Sequence, residues 1–533
     1  MYTFCEYMDF SESYRYNGAE VLTVKERKPG GNSILRCILV GVSLLFQVGW
    51  MLLLILRLNE YSAIISLATG ILSFLLVLQL HSRHTTSAMK MPWIMLILVF
   101  PVMGLSLYLL IVLFGDLGSN KKHLKKLQSE TRKFLTQEPE VFAELEKNHP
   151  EYAGQFRYLW NHNHSPVYAN TRTEYYPEAK VAFAAIKEAL KQAEHFIFME
   201  YFIVSDMSSF REIEDILVCK VAQGVEVRLM YDDIGSIGTV NLAFAKRLND
   251  VGIKCRIFNP AIPIVNVFMN HRDHRKITVI DGSVGFTGGF NLSDEYFDRT
   301  HPYGKWKDTG IRLEGDGVKQ LTAMFLEMWN LNSRTNEDCG PYLNIQACCP
   351  ADGFLQPFGD NPLSEERTAE NVYLNLISSA QKSLYFMTPY LIITDEMNRA
   401  LGLAAKRGVD VRIITPGIPD KKTVFAMTRS YYAGLASQGV RIFEYTPGFC
   451  HAKQCLCDGK LASIGTSNLD YRSLYLHFEN DVLLCDCQAV KQMHDDFEAV
   501  FPQCTEMTQE YARGKKMILR TWECILRLFA PMI

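Results

Sequence analysis

The chain has no excess of positive charge. Its 533 residues carry 55 Lys and Arg against 58 Asp and Glu, a formal net charge of −3. No global basic field draws in a nucleic acid, and no basic stripe along the chain offers one a track. A disulfide framework is also missing. The 14 cysteines are scattered through a chain too long to need covalent staples. That excludes a small disulfide scaffold and favours a reducing side for any catalytic part. No cleavable signal peptide is expected, because the first apolar run starts well into the chain and no cleavage-like site ends it. The clustered carboxylates of a metal-dependent hydrolase are missing as well.

Long apolar runs are present, but only in the first quarter. Residues 37–56, 61–80 and 92–114 are each free of charge. Each is close to the ~20 residues that span a bilayer as a helix. Trp50, Trp93 and Tyr108 suit its interfaces. The expectation is a helical transmembrane module of about three helices over residues 36–115, after an N-terminal segment 1–35. Lys25, Arg27, Lys28 and Arg36 precede the first run, and Lys121, Lys122, Lys125 and Lys126 follow the third. With three spans these fall on opposite sides, so the positive-inside rule nearly ties. Cysteine usage tips the catalytic part towards the cytoplasm. Residues 116–165 read as a charged, solvated connector.

The remaining chain is a repeat. His274-Arg275-Lys276 with Asp281 returns as His451-Ala452-Lys453 with Asp458. Both copies read H-x-K-x4-D, and at equal spacing each meets a turn opening on glycine and ending on Asn291 or Asn468. The apolar residues after each Lys predict a strand, on which side chains two apart share a face. His274 and Lys276 then point together, as do His451 and Lys453. Imidazole beside ammonium fills a core poorly and suits phosphate chemistry. Around each motif, helix and strand patterns recur in the same order: Phe196-Ile197-Phe198 matches Leu384-Tyr385-Phe386, and Val225-Glu226-Val227-Arg228 matches Val409-Asp410-Val411-Arg412. The predicted class is α/β, two homologous lobes with mixed sheets covered by helices, over 166–335 and 336–510.

A histidine at work needs a partner on its other ring nitrogen. Asp308 and Glu479 qualify, since each opens a strand-like stretch just downstream of its motif. Asp281 and Asp458, although part of the motif, are read as holding turn and strand geometry. Asp470 and Arg472 are plausible supporting residues. No metal site is expected: His271 and Asp273 should face away from His274 on a strand, and Cys455 and Cys457 read as small residues lining a pocket wall. At the C-terminus, Ile518, Leu519, Trp522, Ile525, Leu526 and Phe529 share one helical face among Arg513, Lys515, Lys516, Arg520 and Arg527. Segment 511–533 is therefore either an amphipathic helix on anionic lipid or a helix packed on the second lobe.

The paired H-x-K-x4-D motifs resemble the phospholipase D superfamily over residues 165–510. Thr466-Ser467 in the second copy, where the first has Gly289-Phe290, is a variation that the superfamily tolerates. The resemblance implies two phospholipase D-type lobes meeting about a pseudo-two-fold axis, with both motifs in one site. It implies a covalent phosphatidyl-histidine, with His274 as nucleophile and His451 as acid and then base, an order that the residues alone do not discriminate. Lys276 and Lys453 would neutralise the phosphate, and Asn291 and Asn468 would donate hydrogen bonds to its oxygens. No cofactor is implied. With the apolar module in front, the whole chain resembles bacterial cardiolipin synthases, multi-pass cell-membrane enzymes. The implied reaction joins two phosphatidylglycerol molecules and releases glycerol. A membrane phospholipase D that hydrolyses lipid or uses another alcohol is the alternative. A non-catalytic scaffold would not need both intact motifs.

Overall fold

The computed structural model describes isolated residues between 42 and 56 and, from 63 onward, all but 84, 115–116, 262–269, 346–348, 351, 513–525, 529 and 531–533. The first apolar run and the basic residues before it lie essentially outside the described residues, as does most of the C-terminal amphipathic face. Of that face, Leu526 is buried in the core of the second lobe, and Arg527 Nε donates to Ser430 Oγ at 3.1 Å.

Three helices open the described chain: α1 (Ala63–Ser82), α2 (Ser87–Val99) and α3 (Pro101–Phe114). They pack around Leu76, Leu80, Ile97 and Tyr108. The third apolar run, expected as one span, is broken at Phe100. Pro101 has no N–H to continue the ladder and disfavours helical geometry in the residue before it. Phe100 accordingly sits at φ −129° and ψ 75°. The chain folds back there, and Gly104 permits close packing: a Cβ on it would lie 2.6 Å from the Ile97 Cα. Among the described residues, no helix is long and apolar enough to cross a membrane.

The connector is packed rather than solvated. It forms helices α4 (Leu117–Thr131), α5 (Pro139–Asn148) and α6 (Pro150–Asn163). Leu124 and Leu127, three residues apart on one face, enter the same core as Met324 and Trp329. Thr131 Oγ1 donates to Glu327 Oε1 at 2.5 Å. Leu145, Tyr152, Phe156 and Leu159 pack with Phe358 and Tyr373. Its many charges mask these few apolar positions in a reading by composition.

The two lobes repeat a common strand order, and the second adds one strand at its edge. The first comprises β1 (Thr171–Tyr176), β2 (Phe196–Tyr201), β3 (Glu226–Asp232), β4 (Lys254–Phe258), β5 (Arg272–Asp273), β6 (Lys276–Ile280), β7 (Val284–Gly288), β8 (Lys305–Lys307) and β9 (Gly310–Gly315). The second comprises β10 (Phe354–Asp360), β11 (Ser383–Met387), β12 (Asp410–Pro416), β13 (Arg441–Tyr445), β14 (Gly448–Cys450), β15 (Gln454–Cys457), β16 (Leu461–Gly465), β17 (His477–Cys485) and β18 (Cys504–Glu506). The sheet orders are β1-β9-β7-β6-β2-β3-β4 and β10-β17-β16-β15-β11-β12-β13-β18. Both sheets are mixed: β2, β3 and β4 are parallel, as are β11, β12 and β13, and the remaining neighbours are antiparallel. One apolar core runs through both lobes, joining Phe198, Ile277 and Trp329 to Leu456, Val482 and Phe497.

The short strands left over cross between the lobes. β5 of the first lobe pairs in parallel with β17 of the second, and β14 of the second pairs in parallel with β8 of the first. Each crossing strand stands immediately before an H-x-K motif, so each motif begins where its chain is held by a strand of the other lobe.

Candidate active site

His274 and His451 are not within strands. Each occupies the short gap between a crossing strand and a sheet strand of its own lobe. Backbone pairing pins both: His274 N–H donates to Phe478 O at 2.9 Å, and His451 N–H donates to Lys307 O at 2.7 Å. In both cases the residue after that acceptor is an acid. Glu479 Oε2 lies 2.9 Å from His274 Nδ1, and Asp308 Oδ2 lies 2.7 Å from His451 Nδ1. The expected acids are therefore exchanged between lobes. All four side chains are buried.

With Nδ1–H donating to a carboxylate, each ring carries its lone pair on Nε2, and at His451 that atom lies 3.0 Å from Lys453 Nζ. Burial, and then the charges of Lys276 and Lys453, hold the His274 imidazole well below its ordinary value. Burial, Lys453 and Lys276 do the same to His451. Burial also pulls the Lys276 ammonium down to about 7 and Lys453 down to about 8. It pushes Asp308 up to about 7, against the opposing pull of Lys453. The common cause is loss of water around charge, and the mutual influence of His274, His451 and both lysines places them in one field. Lys276 Nζ and Lys453 Nζ each donate to the backbone carbonyl of their own histidine.

The turns after the motifs support the acids differently. A Cβ on Gly289 would fall 2.1 Å from Asp308 Oδ1 and 3.0 Å from His451 O, so the first copy admits only glycine there. In the second copy Thr466 stands at that place, and its Oγ1–H donates to Glu479 Oε2 at 2.5 Å. Asn291 is turned to the protein: its Nδ2 donates to Tyr296 OH at 2.7 Å, and its Oδ1 accepts from Ile203 N at 3.0 Å. Asn468 is buried, and its Oδ1 accepts no hydrogen bond among the described residues.

Asp281 and Asp458 stand at the far ends of β6 and β15, both in the left-handed region at φ 50° and 53°. Asp281 accepts from the N–H groups of Glu194, His195 and Phe196, each at 2.8 Å. Asp458 accepts from Gln381, Lys382 and Ser383 at 2.8, 2.7 and 2.9 Å. They tie each motif strand to the start of its neighbour. Asp470 caps a short helix through Ser473 N–H at 2.8 Å. Arg472 Nη2 reaches Asn270 Oδ1 at 3.4 Å. Burial, and then the charge of Asp273, push the Glu200 carboxyl well above its ordinary value. Cys455 and Cys457 are fully buried in the core of the second lobe instead of lining a pocket wall.

Sequence reasoning missed the walls of the site. Tyr296, Trp306 and Phe449 flank the His451 ring, at centroid distances of 5.3, 5.6 and 5.7 Å. Phe202 and His477 flank His274, at 5.1 and 5.4 Å. Donor atoms of His274, His477 and Glu479 lie within 4.8 Å of one another, close enough to share a cation. The signal for His477 was present: it stands two residues before Glu479, as Trp306 stands two before Asp308.

Two repeated mixed-sheet lobes that exchange strands to bring two H-x-K motifs together make this a protein of the phospholipase D class. The family described as "Cardiolipin synthase, PLD-like domain" matches residues 186–329 and 373–501, and the chain belongs to this family. It is 33% identical over 506 residues to a cardiolipin synthase of Halalkalibacterium halodurans, covering 92% of this chain and 95% of that protein. It is 35% identical to cardiolipin synthase 2 of Bacillus cereus, over 86% of this chain and 89% of that one. An uncharacterized protein of Streptococcus mutans is 40% identical, over 86% and 99%. The crystal structure of a phosphatidylserine synthase from Haemophilus influenzae shares the fold. It has a TM-score of 0.52 and 16% identity, and the match covers 70% of this chain and 97% of that one.

Proposed function

We propose that the protein is a cardiolipin synthase, a phosphatidyltransferase that joins two phosphatidylglycerol molecules into cardiolipin and releases glycerol. The observation that carries this reading is the site itself: two buried histidines, each oriented by an acid from the opposite lobe, with the charges of two lysines acting on both, in a chain related over most of its length to cardiolipin synthases.

The chemistry proceeds in two displacements. His274 Nε2 attacks phosphorus, the bond from phosphorus to the glycerol oxygen breaks, and His451 gives that oxygen a proton. His451 then takes the proton of the terminal hydroxyl of the second lipid. That oxygen attacks phosphorus, and the bond to His274 breaks. Glu479 stabilises the positive charge on the phosphorylated imidazole, and Asp308 orients His451 for both proton transfers. Lys276 and Lys453 neutralise the phosphoryl oxygens. The depressed imidazoles fit this order. His274 is neutral and nucleophilic in the free enzyme, and the arriving phosphate anion opposes the burial and the lysine charges that together keep His451 unprotonated. Asn291 serves the site through Tyr296, and Asn468, whose side chain is hydrogen-bonded to Asp470, keeps Oδ1 as an acceptor for a substrate hydroxyl.

Residues 36–115 are proposed to seat the enzyme in the cell membrane as a multi-pass module. Leu67, Ile71, Leu72, Phe74, Leu75 and Leu78 of α1 are exposed, as are Met95, Leu98 and Val99 of α2. Apolar surface on this scale calls for a lipid partner. The test is headgroup analysis after incubating the purified protein with phosphatidylglycerol liposomes. Cardiolipin with an equal amount of glycerol supports the reading. Phosphatidic acid as the product would assign a hydrolase instead.

A further inference from the structure

The two halves of the site differ at the rim. After β12, residues 417–421 fold over the His451 side. Gly417 N–H donates to Tyr445 O at 2.9 Å, and Ile418 N–H donates to Gly448 O at 3.2 Å. Gly448 opens β14, the crossing strand that leads into His451. Asp420 Oδ2 then accepts from Tyr390 OH at 2.6 Å. The Tyr390 ring lies 6.4 Å from that of Phe449, and Phe449 lies 5.7 Å from His451. Lys421, the next residue, is thereby set at the solvent-facing edge of this aromatic wall. It is exposed, and among the described residues its side chain has no ion pair and no hydrogen-bond partner. Its charge acts on His451 after burial, Lys453 and Lys276, and is not among the main charges on His274. The equivalent segment of the first lobe, residues 233–237 after β3, contains Asp233 and no cation.

Phosphatidylglycerol as acceptor brings a second anion to the enzyme. Its reacting hydroxyl stands at His451, which takes the proton. Its own phosphate stands at the other end of the three-carbon headgroup, towards the acyl chains and therefore outward of His451. Lys276 and Lys453 are committed to the phosphate under attack, so the second anion needs another cation. Resting on the transferase reading, we propose that Lys421 binds the non-reacting phosphate of the acceptor lipid and so makes the enzyme prefer an anionic acceptor over a neutral alcohol. Lys421 meets the requirement in place and in charge: it lies outward of His451, it reaches solvent, and no acid of the protein occupies it. Asp420 beside it is engaged by Tyr390. The asymmetry follows from the chemistry, because only the half that activates the acceptor hydroxyl has an acceptor phosphate to hold.

The test uses the full-length enzyme with phosphatidylglycerol liposomes and added 1-propanol, and mass spectrometry quantifies cardiolipin and phosphatidylpropanol. Both products come from the same phosphatidyl-enzyme, so their ratio reports the acceptor step alone. Lys421→Met should lower cardiolipin relative to phosphatidylpropanol roughly fivefold, the upper end for an exposed ion pair. Lys421→Arg should hold the wild-type ratio, and so should Lys422→Met, which removes the neighbouring exposed charge. A lysine that only held the enzyme on the bilayer, or only bound the donor, would depress both products together and leave the ratio unchanged, which overturns the proposal. An equal fall of the ratio in Lys422→Met overturns it as well, by assigning the effect to net charge. A wild type that makes phosphatidylpropanol but no cardiolipin sinks the synthase reading. Cardiolipin from the wild type with an unchanged ratio in Lys421→Met sinks the acceptor site alone.

Discussion

Glu479→Gln tests the exchange between lobes most directly. The side chain is fully buried and accepts from His274 Nδ1 at 2.9 Å and Thr466 Oγ1 at 2.5 Å. Glutamine keeps the volume and one acceptor oxygen but removes the charge facing an imidazole that becomes cationic on phosphorylation. A hydrogen bond to a charged group contributes roughly 1.5–3 kcal/mol. At about 1.4 kcal/mol per decade, kcat should fall roughly 10- to 150-fold. The informative readout is which histidine the variant imitates. Intact-protein mass spectrometry after acid-free quenching measures the phosphatidyl adduct. Two donors are compared: phosphatidylglycerol, and a phosphatidyl ester with a good leaving group that needs no acid. Glu479→Gln, in the second lobe, should behave like His274→Ala in the first and load poorly with both donors. Asp308→Asn should behave like His451→Ala, with little loading from phosphatidylglycerol but recovery with the activated ester. If Glu479→Gln instead groups with His451→Ala, each acid serves its own lobe in catalysis and the cross-lobe argument fails.

Three further outcomes are expected. The lysines act when protonated, and burial has lowered them to about 7 and about 8, so kcat/KM should fall as pH rises through that window. Because bound phosphate stabilises the ammonium charges, kcat should fall at higher pH than kcat/KM; a flat kcat/KM profile to pH ~9 would contradict the assignment. Gly289→Ala pushes a methyl into Asp308 Oδ1 and His451 O, and should cost activity on the order of a hundredfold by displacing the dyad. Gly238→Ala, with nothing within 4 Å of its Cβ, is the control, and equal activities of the two would refute the crowding. A chain beginning near Lys121 keeps the packing of Leu124 and Leu127 and should retain some activity in detergent–lipid micelles. Complete loss with the fold intact would show that the apolar helices help to build the site.

Much of the protein is local information and was legible along the chain. The strand residues after Lys276 and Lys453, the matching turns and the recurring helix–strand order follow from periodicity and spacing, which neighbouring residues carry. So does the grouping of His274 with Lys276, of His451 with Lys453, and the choice of Asp308 and Glu479 as the acids. What no local pattern contains is the pairing itself. Glu479 meets His274 across 205 positions and Asp308 meets His451 across 143, because β5 and β14 cross between lobes. Two-residue and three-residue strands carry almost no periodic signal, and their partners are chosen by the docking of two large sheets. The same holds for the connector, whose few leucines are buried by surfaces far along the chain, and for His477, whose equivalence to Trp306 acquires meaning only at the shared site. The fold of the apolar run at Phe100 is the opposite case. Pro101 announced it, but uncharged length outweighed one residue until packing of Gly104 on Ile97 decided the geometry.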